Sequence, residues 1–187
     1  MSGHSKWSQI KRQKGVTDAA KSRVFSRFAR EITLESKKAS GNITSPGLAA
    51  VIARAKAANM PKDNIERAVA KGTSKEGGDL EQVTYELYGP GAVAIIVSAL
   101  TDNKNRTTQE IKLILTKNTY ELGTPGSALW AFSKSPAGLL TPNEPLMDVV
   151  GEDEERLGHL LSLLDEQDDV QSISTNARGY ENTNDDE

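Results

Sequence analysis

Cysteine is absent from the 187 residues, so neither a disulfide framework nor a thiolate zinc site is available. Aromatics make up only 5% of the chain and apolar residues 36%, which allows a modest core beneath a large polar surface. No stretch approaches the roughly 18 apolar residues that a membrane span needs. The opening Met-Ser-Gly-His-Ser-Lys-Trp lacks the apolar centre of a secretory signal, and the expectation is a soluble cytoplasmic protein. Only two histidines occur, without a partner motif, and no metal or cofactor site is expected.

What is present is charge, unevenly spread. The net charge of −3 conceals three regions. From Met1 to Gly72, fifteen basic residues face five acids, a net of +10. Residues 73–141 carry −1, and from Pro142 onward fourteen acids face only Arg156 and Arg178, a net of −12. Such asymmetry points to a polyanion-binding end and an acidic end.

Periodicity places the elements. The first fifteen residues read as a basic arm. A helix follows from Thr17 or Asp18, with Val24, Phe25, Phe28 and Ile32 on one face, ending near Ser40-Gly41. A second opens at Ser45-Pro46 and buries Leu48, Ile52 and Ala55; a third runs from Lys62 to Lys71 and is closed by Gly72. Lys75 to Asp79 forms a linker. Strands are then expected at Val83–Tyr88, Val93–Leu100, Ala128–Phe132, Met147–Val150 and Val170–Ser174. Helices are expected at Thr107–Lys117 and at Glu152–Glu166, the latter with Leu157, Leu160, Leu161 and Leu164 inward. The fold class is α+β: a three-helix domain over 1–75, an α/β sandwich domain with a mixed or antiparallel sheet over 80–176, and a disordered acidic tail over 177–187.

Candidate contacts concentrate in the basic third. In the arm, Lys6, Lys11, Arg12 and Lys14 suit phosphates; His4 and Trp7 are candidate contacts beside them, Trp7 either stacking on an exposed base or packing onto the helices, and His4 either touching a phosphate or standing as an ordinary polar residue. Lys21, Arg23, Arg27 and Arg30 form a basic helix ridge, while Phe25 and Phe28 belong to the core. The second helix opens Pro46-Gly47-Leu48-Ala49-Ala50, without donors for base edges. Lys62, Asn64 and Arg67 make the third a better reader, but a short one, so contact with backbone and shape is expected over base readout. Catalytic constellations do not assemble. Glu152 to Glu155 complement a helix start, Gly89-Pro90-Gly91 lacks the Lys-Ser/Thr ending of a phosphate loop, and Gly126-Ser127 lacks the glycine spacing of a nucleophile elbow. Asp102, Asn103 and Arg106 form a polar knot with a binding or turn role. The chain reads as a non-enzyme.

Four motifs in order give a resemblance: Ser2-Gly3-His4-Ser5-Lys6-Trp7, Ala57-Ala58-Asn59-Met60-Pro61-Lys62-Asp63-Asn64-Ile65-Glu66-Arg67-Ala68, Tyr88-Gly89-Pro90-Gly91, and Leu100-Thr101-Asp102-Asn103-Lys104-Asn105-Arg106-Thr107. The chain is similar to the YebC family over residues 2 to about 134 and again over Leu160 to Asn176. The resemblance implies a helical N-terminal domain followed by α/β domains, in a cytoplasmic DNA-binding transcriptional regulator. It also implies a link to translation: mitochondrial members activate synthesis of a respiratory subunit, and bacterial ones are connected with ribosomes stalled on proline runs. The family usually carries a third domain after the strand matching Ala128–Phe132, and here only Ser133 to about Met147 fills that space. Gly47, Ala49 and Ala20 stand where basic residues are common. The expected partner is therefore DNA or ribosomal RNA. A protein-interaction adaptor acting through the acidic α+β domain is the alternative. The sequence leaves the oligomeric state open.

Overall fold

The computed structural model describes residues 6, 9, 17–74, 79–135 and 139–182. They divide into two compact units: a helical one, Thr17–Glu81 with Leu100–Asn103, and a sheet unit built from Gln82–Ala99 and from Lys104 onward.

The helical unit contains α1 (Asp18–Lys38), α2 (Pro46–Ala57) and α3 (Lys62–Thr73). Thr17 caps α1 by accepting a hydrogen bond from the Ala20 N–H at 3.2 Å, Asp18 stands in its first turn, and Lys37 and Lys38 in its last, all in the sense the helix dipole favours. Pro46 opens α2 with its missing N–H at a position that has no intrahelical partner; Ser45 occupies the cap position but makes no side-chain cap bond. Ile32, Leu48, Val51, Ala55, Met60, Ile65 and Ala68 form the core, with Phe25, Phe28 and Ile52 packed at its edge. Val24, expected on the buried face, is exposed.

Gly72 does not close α3, which continues through it to Thr73 and is capped at Ser74. A Cβ there would lie 2.5 Å from the Thr33 carbonyl oxygen and 2.6 Å from the Ser36 Cβ, so glycine is needed for the close approach of α3 to α1. Hydroxyls tie the same crossing: Thr33 Oγ1 donates to the Ala29 carbonyl at 2.7 Å and lies 3.2 Å from that of Ala68, and Ser36 Oγ donates to that of Val69 at 2.8 Å.

The sheet unit carries β1 (Glu81–Tyr88), β2 (Ala94–Thr101), α4 (Lys104–Lys117), β3 (Phe132–Lys134), β4 (Leu140–Pro142), α5 (Glu152–Asp165) and β5 (Val170–Thr175). Its main sheet has the order β1-β2-β5, with β2 and β5 antiparallel in the register Ile95↔Thr175 and Val97↔Ile173. The β1–β2 turn needs Gly91 at φ +65°. Ile111 and Leu115 of α4, with Leu157, Leu160, Leu161 and Leu164 of α5, pack with Leu87, Ile95, Val97 and Ile173. Ala94 and Ile96 pack on the other side with Ala128, Ala131 and Phe132. Burial on both faces explains why β2 is a continuous apolar run instead of an alternation. β3 and β4 form a separate antiparallel pair. The whole is α+β, as the periodicity indicated.

Three further expectations are corrected. Ala128–Phe132 is not a strand: Leu129–Ala131 forms a 3₁₀ turn, and only Phe132–Lys134 is extended. The Glu86 carboxylate accepts the N–H groups of Gly126, Ala128 and Leu129 at 2.6–2.8 Å, taking donors that a ladder would use. Met147–Val150 is not a strand either, and makes a single parallel bridge, Met147↔Ala177. The chain beyond 177 is ordered as far as 182: Tyr180 is buried, and the Thr175 N–H donates to the Glu181 carbonyl at 2.9 Å.

Candidate nucleic-acid interface

α1 and α3 diverge beyond their glycine-tight crossing and leave an open groove of about 690 Å³. Its cations are Lys21 and Arg30 from α1, and Arg67 and Lys71 from α3; Asp18 and Asp102 are its acids. Phe25 and Met60 supply apolar wall, and Ser22 and Ser26 neutral hydroxyls. The structure thus gathers three of the expected phosphate contacts, Lys21, Arg30 and Arg67, with Asp102 of the expected polar knot, and adds Lys71 to the same groove. Lys71 was within reach of sequence reasoning, since it falls four residues after Arg67 and so on the same helix face.

The other candidates lie elsewhere. Arg23 and Arg27 do not line the groove. Lys62 is exposed at the start of α3, 3.4 Å from Glu66. Lys6 meets Glu154 of α5 at 2.6 Å, and Tyr180 Oη donates to the same carboxylate at 3.3 Å. The Lys6 hydrogen bond holds the Glu154 carboxyl below its usual range, while burial and that carboxylate push the Tyr180 hydroxyl up to about 12. Lys6 is therefore an ion-pair partner in the sheet unit. His4, Trp7, Lys11, Arg12 and Lys14 lie outside the described residues.

Of the expected polar knot, Asp102 lines the groove, and Arg106 and Asn103 take the contacts that follow. Arg106 Nη2 donates to buried Asp169 at 3.0 Å, and Thr107 Oγ1 donates to the same oxygen at 2.7 Å. Gln167 accepts from the Asp169 and Val170 N–H groups and donates to Glu110. Arg106 thus anchors the first turn of α4 to the α5–β5 loop. The Asn103 N–H donates to Thr101 Oγ1 at 2.9 Å, closing a turn.

Two features escaped the sequence reading. One is the Glu86 cradle: burial raises the carboxyl's pKa, but three backbone donors outweigh that and hold it below the usual range. The other is an exposed aromatic pair. Trp130 is 68% exposed, and its indole N–H donates to Tyr88 Oη at 2.7 Å; that hydroxyl donates to the Ser127 carbonyl at 2.6 Å. Neither carried a sequence signal: Glu86 alternates with the core residues Val83, Tyr85 and Leu87 and so reads as outward-facing. Among the described residues, no group of three acidic or histidine side chains is arranged to hold a metal ion, and no helix is long and apolar enough to cross a membrane.

Comparison with known proteins bears on the whole arrangement. The family model described as the TACO1/YebC protein N-terminal domain matches residues 5–75, and that described as the TACO1/YebC second and third domain matches residues 80–141. A probable transcriptional regulatory protein of Desulforapulum autotrophicum is 50% identical over 143 residues, covering 75% of this chain and 57% of that one. One from Dictyoglomus turgidum is 51% identical over 136 residues, covering 72% and 55%. A crystal structure of a conserved hypothetical protein from Aquifex aeolicus superposes with a TM-score of 0.80 at 29% identity, covering 93% of this chain and 97% of that one. The chain spans little more than half the length of those two transcriptional regulatory relatives.

Proposed function

Because the chain belongs to the TACO1/YebC family, we propose that it is a non-enzymatic regulator of gene expression that binds a nucleic acid through phosphate contacts, as a DNA-binding transcriptional regulator. The observation that carries this reading is the α1–α3 groove, where four cations face two carboxylates. The names of the relatives, probable transcriptional regulatory proteins, point the same way. A ribosomal RNA target would use the same cations, so one experiment addresses both polyanions.

Binding of the full chain to labelled duplex DNA and to ribosomal RNA is measured by fluorescence anisotropy at increasing salt. Four neutralised phosphates give a slope of log affinity against log salt of about −3.6 on duplex DNA and about −2.8 on a single strand. A flat response on both polymers refutes the electrostatic grip. Steep binding confined to ribosomal RNA moves the site of action from promoter to ribosome.

A further inference from the structure

We propose that the α1–α3 groove takes an unpaired, single-stranded stretch of nucleic acid, with a base against the Phe25 ring and the flanking phosphates on Lys21, Arg30, Arg67 and Lys71. The inference rests on the nucleic-acid reading of this groove and narrows it to the strand state of the ligand.

Shape is the first argument. Duplex readers push a convex element, usually a helix, into a major groove about 12 Å wide, so that side chains reach base edges. Here the cations line a concavity of about 690 Å³. A cationic trough with an aromatic face in its wall is the arrangement that holds single strands, since every base has a π face and the backbone follows the charge.

The second argument is what the better reading helix has left to read with. Bidentate recognition of adenine needs both the carbonyl oxygen and the amide nitrogen of an asparagine, and that of guanine uses the arginine fork. In α3, Arg67 Nη2 donates to Asn64 Oδ1 at 2.7 Å, and Arg67 Nε to the Asp63 carbonyl at 3.3 Å. Two of the three side chains that could contact base edges are joined to each other, and the third, Lys62, stands outside the groove beside Glu66. Arg67 keeps its charge for a phosphate, and Asn64 must share or give up that bond to present both amide atoms to a base. α2 offers no donors in its first turn, which opens Pro46-Gly47-Leu48.

The two phenylalanines of α1 stand in different surroundings. The Phe28 ring lies under the Arg54 guanidinium, 5.9 Å from the ring centroid, whereas Phe25 lines the groove. Ser22 and Ser26, on the same wall, add hydroxyls that can donate to or accept from any base edge without selecting one.

The test uses the full chain and three labelled probes of equal length, about 12 nucleotides: an oligouridylate, an abasic phosphodiester strand, and a duplex. The oligouridylate should bind more tightly than the duplex at every salt concentration. Phe25→Leu, which keeps apolar volume at the edge of the core, should weaken oligouridylate binding roughly 5- to 100-fold and leave the abasic strand unchanged. Lys71→Ala, an exposed change that spares the core, should weaken both strands and reduce the salt slope by about 0.7. Tighter binding of the duplex overturns the proposal. Equal weakening of the base-bearing and abasic strands by Phe25→Leu also overturns it, leaving a general polyanion groove. If neither strand nor duplex binds in a salt-dependent way, the nucleic-acid reading fails as well.

Discussion

In the sheet unit, two buried carboxylates are met by donors of the same unit. Glu86 closes three backbone donors of the turn before β3, and Asp169 collects Arg106 and Thr107 while Gln167 closes the loop beside it. The helical unit ties its closest crossing with neutral groups, the Thr33 and Ser36 hydroxyls on carbonyls of α3, and half-buries the Glu31 carboxyl against Arg54. The same residue type accordingly has opposite uses. Arg106 is a structural tie between α4 and the α5–β5 loop, whereas Arg67 stands in an open groove with three other cations. Stability in one unit depends on specific polar contacts, and in the other on close helix packing.

Glu86→Ala should break this contrast most severely. It leaves three N–H groups without their acceptor, one buried and two part-buried, at a cost of about 2–4 kcal/mol. Urea denaturation reads the loss, and a change below about 0.5 kcal/mol would show that water replaces the carboxylate without penalty. Gly72→Ala is the counterpart in the helical unit. Alanine gains up to about 1 kcal/mol of helix propensity, but its methyl meets the α1 backbone at 2.5 Å, and overpacking costs about 1–3 kcal/mol. Net destabilisation is expected, together with weaker nucleic-acid binding as α3 shifts from α1. A stabilised variant would show that the crossing is loose.

The arginine pair sharpens the comparison at a smaller scale. Arg106→Ala removes one partner of the buried Asp169 carboxylate; because Arg106 itself is 45% exposed, solvent screens part of the loss and about 1–2 kcal/mol is expected. Nucleic-acid affinity should not change. Arg67→Ala should change stability by less than about 0.5 kcal/mol and reduce the salt slope of binding by about 0.7. Paired denaturation and anisotropy measurements on the two variants decide the matter, and interchanged outcomes would reverse the roles of the two units.

How far this was legible in the chain follows from where each signal originates. The helices of both units were written in apolar spacing: Leu157, Leu160, Leu161 and Leu164 are all buried as their period requires. Thr17 could be read as a cap because capping is local. Gly72 was misread because a glycine near a helix end looks the same whether it terminates the helix or admits a neighbour, and the neighbour lies 36 to 39 residues away. Ala128–Phe132 resembled a strand because Ala, Leu, Trp and Phe fit a half-buried ladder; the Glu86 carboxylate that turns it lies some forty residues earlier. The groove was half visible. Its cations were countable, but which of them share a wall depends on the crossing of α1 with α3, and the choice of Arg30 over Arg23 and Arg27 required the helix to be docked.

The smallest effect is a titration that runs in opposite directions in the two units. The Glu31 carboxyl of α1 is raised above its ordinary 4.5 because burial outweighs the Arg54 guanidinium 2.9 Å away. The Glu86 carboxyl is lowered below the same value, its burial overcome by three backbone donors. With a raised folded-state pKa, Glu31 contributes stability that is fully present below 4.5 and is lost as pH rises through its folded value. Glu86, lowered, contributes stability present above 4.5 and lost as pH falls through its folded value. Carboxyl carbon chemical shifts followed by NMR should therefore give Glu31 a midpoint above 4.5 and Glu86 one below it. Glu31→Gln should flatten the decline in stability above pH 4.5, and Glu86→Gln should flatten the decline below it, each by a fraction of a kcal/mol (~0.5) per pH unit. Reversed midpoints would mean that Arg54 governs Glu31 more strongly than burial does. The helical unit would then depend on an ion pair, as the sheet unit does, and the contrast between them would rest on the groove alone.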